Sequence, residues 1–436
     1  MRRIRTDILP VARAIFILLA WGAGSFAGET PVLAAREQQI DGGPAVMRDA
    51  RSVERMENID PRQLKSAIQR SARYLGQACD TNGKFVYRIN LAPQVKVKPR
   101  YNILRHAGSI YAMAMYLDQY PDKRVQAAMI RAGRFLKNTA MGPVPDRPDL
   151  LAVWSEPQLT LSSQARQAKL GATGLGLIAL ISIEKKAPGE TSVAHLRKLG
   201  RFLCYMQKTN GSFYSKYIPA EGGRWEKWSS LYYPGEAALG LLMLYELDPS
   251  PLWLKAAVNA LTYLARKRAY KTEVEADHWA LLATARLWSI ADSNAQLMQR
   301  ETILNHAIQI SNSILKQAER STANSSTQGC FTGDGRTTPT ATRMEGLLAV
   351  LSFLPPEHSK LRDRITESAN RGMHFLMRTQ ILEGKYSGAI PRAVHSLPEN
   401  HPAFSPSFNR RVTEVRIDYV QHTLSAMIQY QRTFLR

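Results

Sequence analysis

Cysteine is scarce: Cys79, Cys204 and Cys330 are the only three in 436 residues, far apart and odd in number. None stands beside a histidine or at metal-ligand spacing from another, so neither a zinc site nor a disulfide framework is indicated, and all three read as buried small residues. A chain this long builds its core without disulfides. Two further absences narrow the chemistry. There is no glycine-rich loop of the kind that cradles phosphates, which argues against nucleotide chemistry, and no His-x-x-x-His pair to preform a metal site. No cofactor and no metal are therefore expected. Strand-like alternation is also scarce. After the first residues, no stretch reaches the ~18 uninterrupted apolar positions that a membrane helix needs.

Acidic residues are in short supply as well. Lys and Arg total 58 against 36 Asp and Glu, a formal charge of +22 with pI near 10.0. Such a surplus raises affinity for polyanions, whether nucleic acid, anionic lipid or acidic polysaccharide. The N-terminus chooses among them. Arg2, Arg3 and Arg5 precede an apolar stretch of 11 residues, Ala14 to Gly24, and then two small-residue sites, Ser25-Phe26-Ala27 and Val32-Leu33-Ala34. This is the layout of a secretory signal within residues 1–34, or of a signal anchor if it stays uncleaved. Cleavage after Ala27 removes four arginines and one aspartate and leaves +19. A periplasmic or secreted chain meets no nucleic acid, so an acidic glycan, polymer or oligomer, becomes the expected partner. Membrane contact is expected only through an uncleaved anchor.

Residues 35–59 are polar and unpatterned, a tether, and residues 60–436 form the expected domain. Asp60-Pro61 opens a helix, with Asp as cap and Pro in the first turn. Helical spacing of apolar residues then predicts twelve helices, near 61–78, 103–118, 122–138, 169–184, 191–208, 235–247, 251–268, 277–291, 299–318, 341–354, 359–379 and 416–433. They alternate in character. Val193 to Lys208 is amphipathic with a charged face, whereas Gly171 to Leu180 and Gly235 to Leu244 are apolar nearly all round. One-sided and two-sided burial account for the two kinds. The fold class expected is all-α, an (α/α)6 toroid of six outer and six inner helices. A degenerate repeat agrees with it. Phe202-Leu203, Gln207, Gly211 and Phe213 recur at identical spacing as Phe375-Leu376, Gln380, Gly384 and Tyr386. Tyr74-Leu75, Cys79, Gly83 and Phe85 keep that spacing, and Gly329 with Phe331 forms a shortened copy.

This aromatic–Leu–Gln–Gly–aromatic pattern resembles the repeats of terpenoid-cyclase-like, six-hairpin toroids. Carbohydrate-active relatives of that architecture include uronate-polysaccharide lyases, glucuronyl epimerases and glycoside hydrolases. The Asp-x-Asp-Asp motif of protonating terpene cyclases is missing, and the cysteines lack the context of the zinc-binding toroids. The resemblance therefore implies a carbohydrate-active protein, and it specifies fold better than reaction.

In such a ring, the starts of the inner helices line one mouth. Five of the six starts are polar here: Tyr101, Arg105 and His106; Trp225, Trp228, Tyr233 and Glu236; Asp277, His278 and Trp279; Arg336, Arg343 and Glu345; Arg411, Arg416, Asp418 and His422. Only the second, around Lys169 and Thr173, is modest. Two chemistries use this inventory. Proton abstraction beside a uronate carboxylate needs a base, an acid and a cation. His106 or Tyr101 are candidates for the first two roles, with His106 the leading one, and Arg105, Arg343 or Arg416 for the third. Glycoside hydrolysis needs two carboxyls, drawn from Glu236, Asp277, Glu345 and Asp418. Trp225, Trp228, Tyr233 and Trp279 suit stacking on sugar faces. The remaining candidates for substrate binding are Arg336, Arg411 and His422. The basic surplus favours lyase or epimerase chemistry on an acidic polysaccharide over hydrolysis. A non-catalytic glycan- or protein-binding toroid in envelope polysaccharide export is the rival.

Overall fold

The computed structural model describes residues 58–290, 299–321 and 326–435. The expected signal and all but the end of the tether, residues 1–57, lie outside the described residues. The long helices fall where apolar periodicity places them. They are α1 (Pro61–Ala78), α2 (Ile103–Leu117), α3 (Lys123–Ala140), then, after the single turn α4 (Pro157–Thr160), α5 (Leu170–Glu184), α6 (Val193–Tyr205) and α7 (Tyr233–Leu247). There follow α8 (Pro251–Arg268), α9 (His278–Ile290), α10 (Arg300–Arg320), α11 (Thr337–Val350), α12 (Ser359–Thr379), the short α13 (Pro406–Asn409) and α14 (Ile417–Phe434). Their starts are chemically marked. Asp60 accepts from the Arg62 amide at 2.8 Å, Asn102 from that of Leu104 at 2.9 Å, and Asp122 from Arg124 and Val125 at 3.0 and 3.1 Å.

Burial separates the two layers. In α5 every residue from Leu170 to Ile183 is buried, whereas α12 buries only one stripe. The two-sided helices α2, α5, α7, α9, α11 and α14 pack each on the next, and α14 packs back on α2. That closure makes the chain an α/α toroid. Contacts between helix starts, such as Arg105 with Asp418, Gly171 with Glu236 and Gly235 with Trp279, show neighbouring inner helices running parallel, so one mouth collects their N-terminal ends.

The repeat is a joint between hairpins. The slot held by Gln207, Gln380 or Cys79 bonds a carbonyl on the next outer helix: Gln207 Nε2 to Ala256 at 2.8 Å, Gln380 Nε2 to Ala67 at 2.8 Å, and the Cys79 thiol to Ala128 at 3.4 Å. One turn further along each of those helices, a glycine with positive φ packs on another carbonyl. Gly83 meets Arg131, Gly211 meets Asn259, and Gly388 meets Arg70; a Cβ at any of them would collide with backbone. The expected glycine of the last joint, Gly384, is instead open to solvent, and the role passes to Gly388 four residues on. Tyr386 is displaced in the same way by buried Ile390. Of the cysteines, Cys79 and Cys330 are buried and Cys204 only partly so.

Sequence patterning missed the sheets. Strand β1 (Arg88–Asn90) pairs antiparallel with β7 (Glu414–Arg416). Between them in sequence, β2 (Met141–Val144), β3 (Arg147–Ser155), β4 (Gln167–Lys169), β5 (Lys216–Ile218) and β6 (Gly223–Trp225) form a five-stranded antiparallel sheet in chain order. Most of these strands are three or four residues long, too short for a period of two to register. They brace the chain just before α5, α7 and α14, and so frame the mouth. Arg336 is the residue from which α11 starts, and it bridges to Ala393.

Candidate active site

His106 does not face the mouth. It is fully buried between α2 and α3, packed on Phe85 and Phe135. Its Nε2 bonds the Ala132 carbonyl at 2.9 Å and its Nδ1 the Tyr101 hydroxyl at 2.8 Å. The same hydroxyl accepts from the Phe85 amide at 3.1 Å. Burial pushes the imidazole down to about 4, so it is neutral. Every polar atom of this pair is spent on holding the first joint. Tyr101 and His106, the leading acid–base candidates by sequence, stand in the wall.

Three other side chains meet instead. Glu345 on α11 lies between His278, at the start of α9, and His422 on α14. Glu345 Oε2 is 2.8 Å from His422 Nδ1 and 3.9 Å from His278 Nε2, and the two imidazole rings are 5.4 Å apart. Gly346 allows the approach, since a Cβ there would lie 3.2 Å from the His278 Cα. Among the described residues, both His278 nitrogens are buried without a hydrogen-bond partner. Burial, then His422 and Arg343, hold its basicity well below the ordinary histidine range, which keeps it neutral with a lone pair available. Burial raises the Glu345 carboxyl, with His422 opposing, and the 2.8 Å contact joins the two by a hydrogen bond. The ligand atoms of the three residues lie within 4.8 Å of one another, a grouping a divalent cation would accept. Spacing along the chain gave no sign of such a grouping, because the members come from three helices. In the arrangement described, Glu345 and His422 bond each other directly, the geometry of an acid–base pair. Trp279, buried, packs on both imidazoles, and Tyr232 lies 5.3 Å from His278. Arg343 reaches Gln317 at 2.8 Å but leaves its Nε and Nη1 buried and unpartnered.

A band of arginines continues from this centre. Asp418 accepts from Arg105 at 3.0 Å and from Arg416 at 2.5 and 2.9 Å. Burial alone would raise this carboxyl, yet the two guanidiniums outweigh it and hold it below the usual range. Arg105 also donates to the Tyr87 hydroxyl. Glu414, not singled out as a site residue from sequence, pairs with Arg411 at 2.7 Å, Arg88 at 3.5 Å and the Tyr419 hydroxyl at 2.9 Å. Arg336 pairs with Asp334 at 2.6 Å. Arg336, Arg392, Arg411 and Arg416 line one cavity of about 300 Å³ with Thr338 and Tyr419. Among the described residues, Arg392 stacks on Phe408 and has no carboxylate partner, and the Thr338 hydroxyl is buried without a hydrogen-bond partner. Six arginines (88, 105, 336, 392, 411 and 416) thus share three carboxylates (Asp334, Glu414 and Asp418), which leaves the cavity cationic. The alternation Glu414-Val-Arg416 was a legible sign of β7, since a strand turns every second residue to one face.

Of the other carboxyls, Asp277 is sequestered: Arg268 binds its Oδ2 through two nitrogens at 3.0 Å, and its Oδ1 accepts from the Ala280 amide. Burial still raises it to about 6. Glu236 is buried against Tyr233 and Gly171, where a Cβ would collide with its Oε2. Among the described residues that oxygen has no hydrogen-bond partner, and burial, with Asp277, lifts the carboxyl to about 8. Tyr233 touches Trp228, 5.7 Å between ring centres, and both Trp228 and Trp225 lie near Lys216.

By sequence, no protein-family model and no curated protein matches the chain. By structure it is similar to the cellobiose 2-epimerase of Spirochaeta thermophila, with TM-score 0.60 and 14% identity over 86% of this chain and 97% of that one. It is likewise similar to a D-mannose isomerase (TM-score 0.60, 12% identity, 86% and 98% covered) and to an unsaturated glucuronyl hydrolase specific for heparin (0.56, 11%, 86% and 98%). The fold is thus the α/α toroid found in carbohydrate-processing epimerases, isomerases and hydrolases.

Proposed function

We propose that this chain is an exported enzyme acting on an acidic, uronate-containing polysaccharide or oligosaccharide by abstracting a proton from a sugar carbon, as a lyase or epimerase does. The observation that carries the reading is His278, a buried neutral imidazole with both nitrogens unpartnered, beside the hydrogen-bonded Glu345–His422 pair. His278 takes the C5 proton next to the substrate carboxylate. Arg343, with two unpartnered nitrogens, offsets the charge that then spreads onto that carboxylate. In elimination, the C5–H electrons form the C4–C5 double bond, the C4–O bond breaks, and the leaving oxygen receives the Glu345–His422 proton. In epimerisation, C5 is reprotonated on its other face. The net arginine surplus of the neighbouring cavity and the chain's +22 charge favour an acidic substrate. The secretory layout of the N-terminus supports a place outside the cytoplasm, and the carbohydrate enzymes of similar fold support a sugar substrate.

Glycoside hydrolysis is the second reading, favoured by the Glu236 carboxyl, which is protonated at neutral pH and suited to a general acid. Its weakness is the partner: Asp277 is fully buried and bound by Arg268. The deciding experiment incubates the protein with uronate polymers in deuterated water. Ultraviolet-absorbing unsaturated ends indicate elimination, and deuterium at C5 without them indicates epimerisation. New reducing ends with neither signal favour hydrolysis, and no change in any polymer that binds leaves only a glycan-binding toroid.

A further inference from the structure

The entrance of the second inner helix, modest by sequence, holds two adjacent cations without a carboxylate partner among the described residues. Lys169 ends β4 and caps α5, and its Cα pairs directly with that of Lys216 on β5. Lys216 in turn pairs with Trp225 on β6. Lys169, Lys216 and Trp225 therefore form one row across three antiparallel strands, side chains on one face. Like charges placed directly opposite destabilise a sheet. Neither lysine has an ion pair or a side-chain hydrogen bond among the described residues, whereas Arg105, Arg411 and Arg416 in the same mouth each hold a carboxylate. Burial, then Lys216 and Arg105, depress the basicity of Lys169, and burial that of Lys216. Two cations are being held together with no anion to offset them. The Lys216 ammonium sits 5.0 Å from the Trp225 ring and 4.7 Å from that of Trp228, which is 43% exposed. An indole face takes the C–H face of a pyranose, and an ammonium close by takes a carboxylate on the same ring.

We propose that Lys169 and Lys216, with Trp225 and Trp228, form a subsite for a uronate ring of an oligosaccharide, three inner helices around the ring from the start of α11. It rests on the reading of the protein as a uronate enzyme only for the name of the sugar acid. The occupant spans the mouth: one acidic ring lies at the histidine centre, and another, further along the same chain, lies on the lysine pair. The substrate is then an oligomer or polymer rather than a single sugar.

Binding of trigalacturonate, neutral cellotriose and inorganic sulfate to the whole protein tests this by calorimetry, independently of turnover. Wild type should bind trigalacturonate at least ~10-fold more tightly than either other probe, the preference falling with salt. K169Q/K216Q should lose that preference while cellotriose affinity stays within ~2-fold, and W228A should weaken both sugars. Unchanged trigalacturonate affinity in K169Q/K216Q, with the variant's melting temperature at or above wild type, overturns the subsite. So does sulfate binding as tightly as the sugar acid. If the preference and its loss are seen but no uronate polymer is ever turned over, the subsite stands and the enzymatic reading falls.

Discussion

One carboxylate serves two imidazoles from helices that are not neighbours in the ring: Glu345 Oε2 stands 2.8 Å from His422 and 3.9 Å from His278. The helix that carries it, α11, sits between α9 and α14, so the packing of both on α11 is what brings the histidines together. H278A and H422A should each lower turnover of a uronate substrate by about 10²- to 10⁴-fold, the usual worth of a positioned acid or base. Affinity for the oligosaccharide should stay within a few-fold. Full turnover in H278A would remove it from the chemistry.

His106 predicts the opposite pattern. Replacing it by Ala strands the Tyr101 hydroxyl and the Ala132 carbonyl in an apolar joint, at a cost of about 2–4 kcal/mol. H106A should melt several degrees lower and keep its turnover per folded molecule. A variant that melts like wild type and is inactive would return His106 to the catalytic set.

Arg343 is expected to act on the substrate carboxylate. R343Q should raise KM and lower turnover for a uronate substrate, and R343K should restore little, because a point charge cannot replace a planar fork. An unaltered rate in R343Q would shift that role to the arginine cavity.

Glu236 ties stability to pH. Its carboxyl moves from an ordinary 4.5 to about 8 on folding, so the folded state binds a proton that the unfolded state has released between those values. The stability it contributes is full below pH 4.5 and is lost as pH rises through 8. Denaturant titrations should show wild type losing on the order of a few kcal/mol from pH 5 to 9 through this group. E236Q should remove that slope; an identical slope in the variant would locate the linkage elsewhere.

The last joint offers a stability test with an internal control. Gly388 has φ of 89° and packs on the Arg70 carbonyl, whereas Gly384 has φ of 72° but nothing near it. G384A should cost about 1 kcal/mol from backbone conformation alone, and G388A more than twice that. Equal effects would place the joint at Gly384 after all.

Much of the fold was legible because helices announce themselves locally. Asp60, Asn102 and Asp122 cap the helices they precede, and the all-round apolar character of α5 and α7 marks them as inner. The joints were legible for the same reason, save the last, where four added residues moved the glycine. The site was less so. His106 and His278 look alike in sequence, each a polar residue near the start of an inner helix. Helical phase directs one towards α3 and the other towards Glu345.

What the linear chain determined by itself is the ring: helix periodicity, caps and two-sided burial are properties of neighbouring residues, and they leave a toroid as the way to bury six apolar helices. What only the tertiary structure decided is partnership. Which imidazole finds a carboxylate, which arginines are neutralised and which lysines are left facing each other depend on contacts between segments as distant as Arg105 and Asp418, 313 positions apart, set by packing that no local pattern encodes.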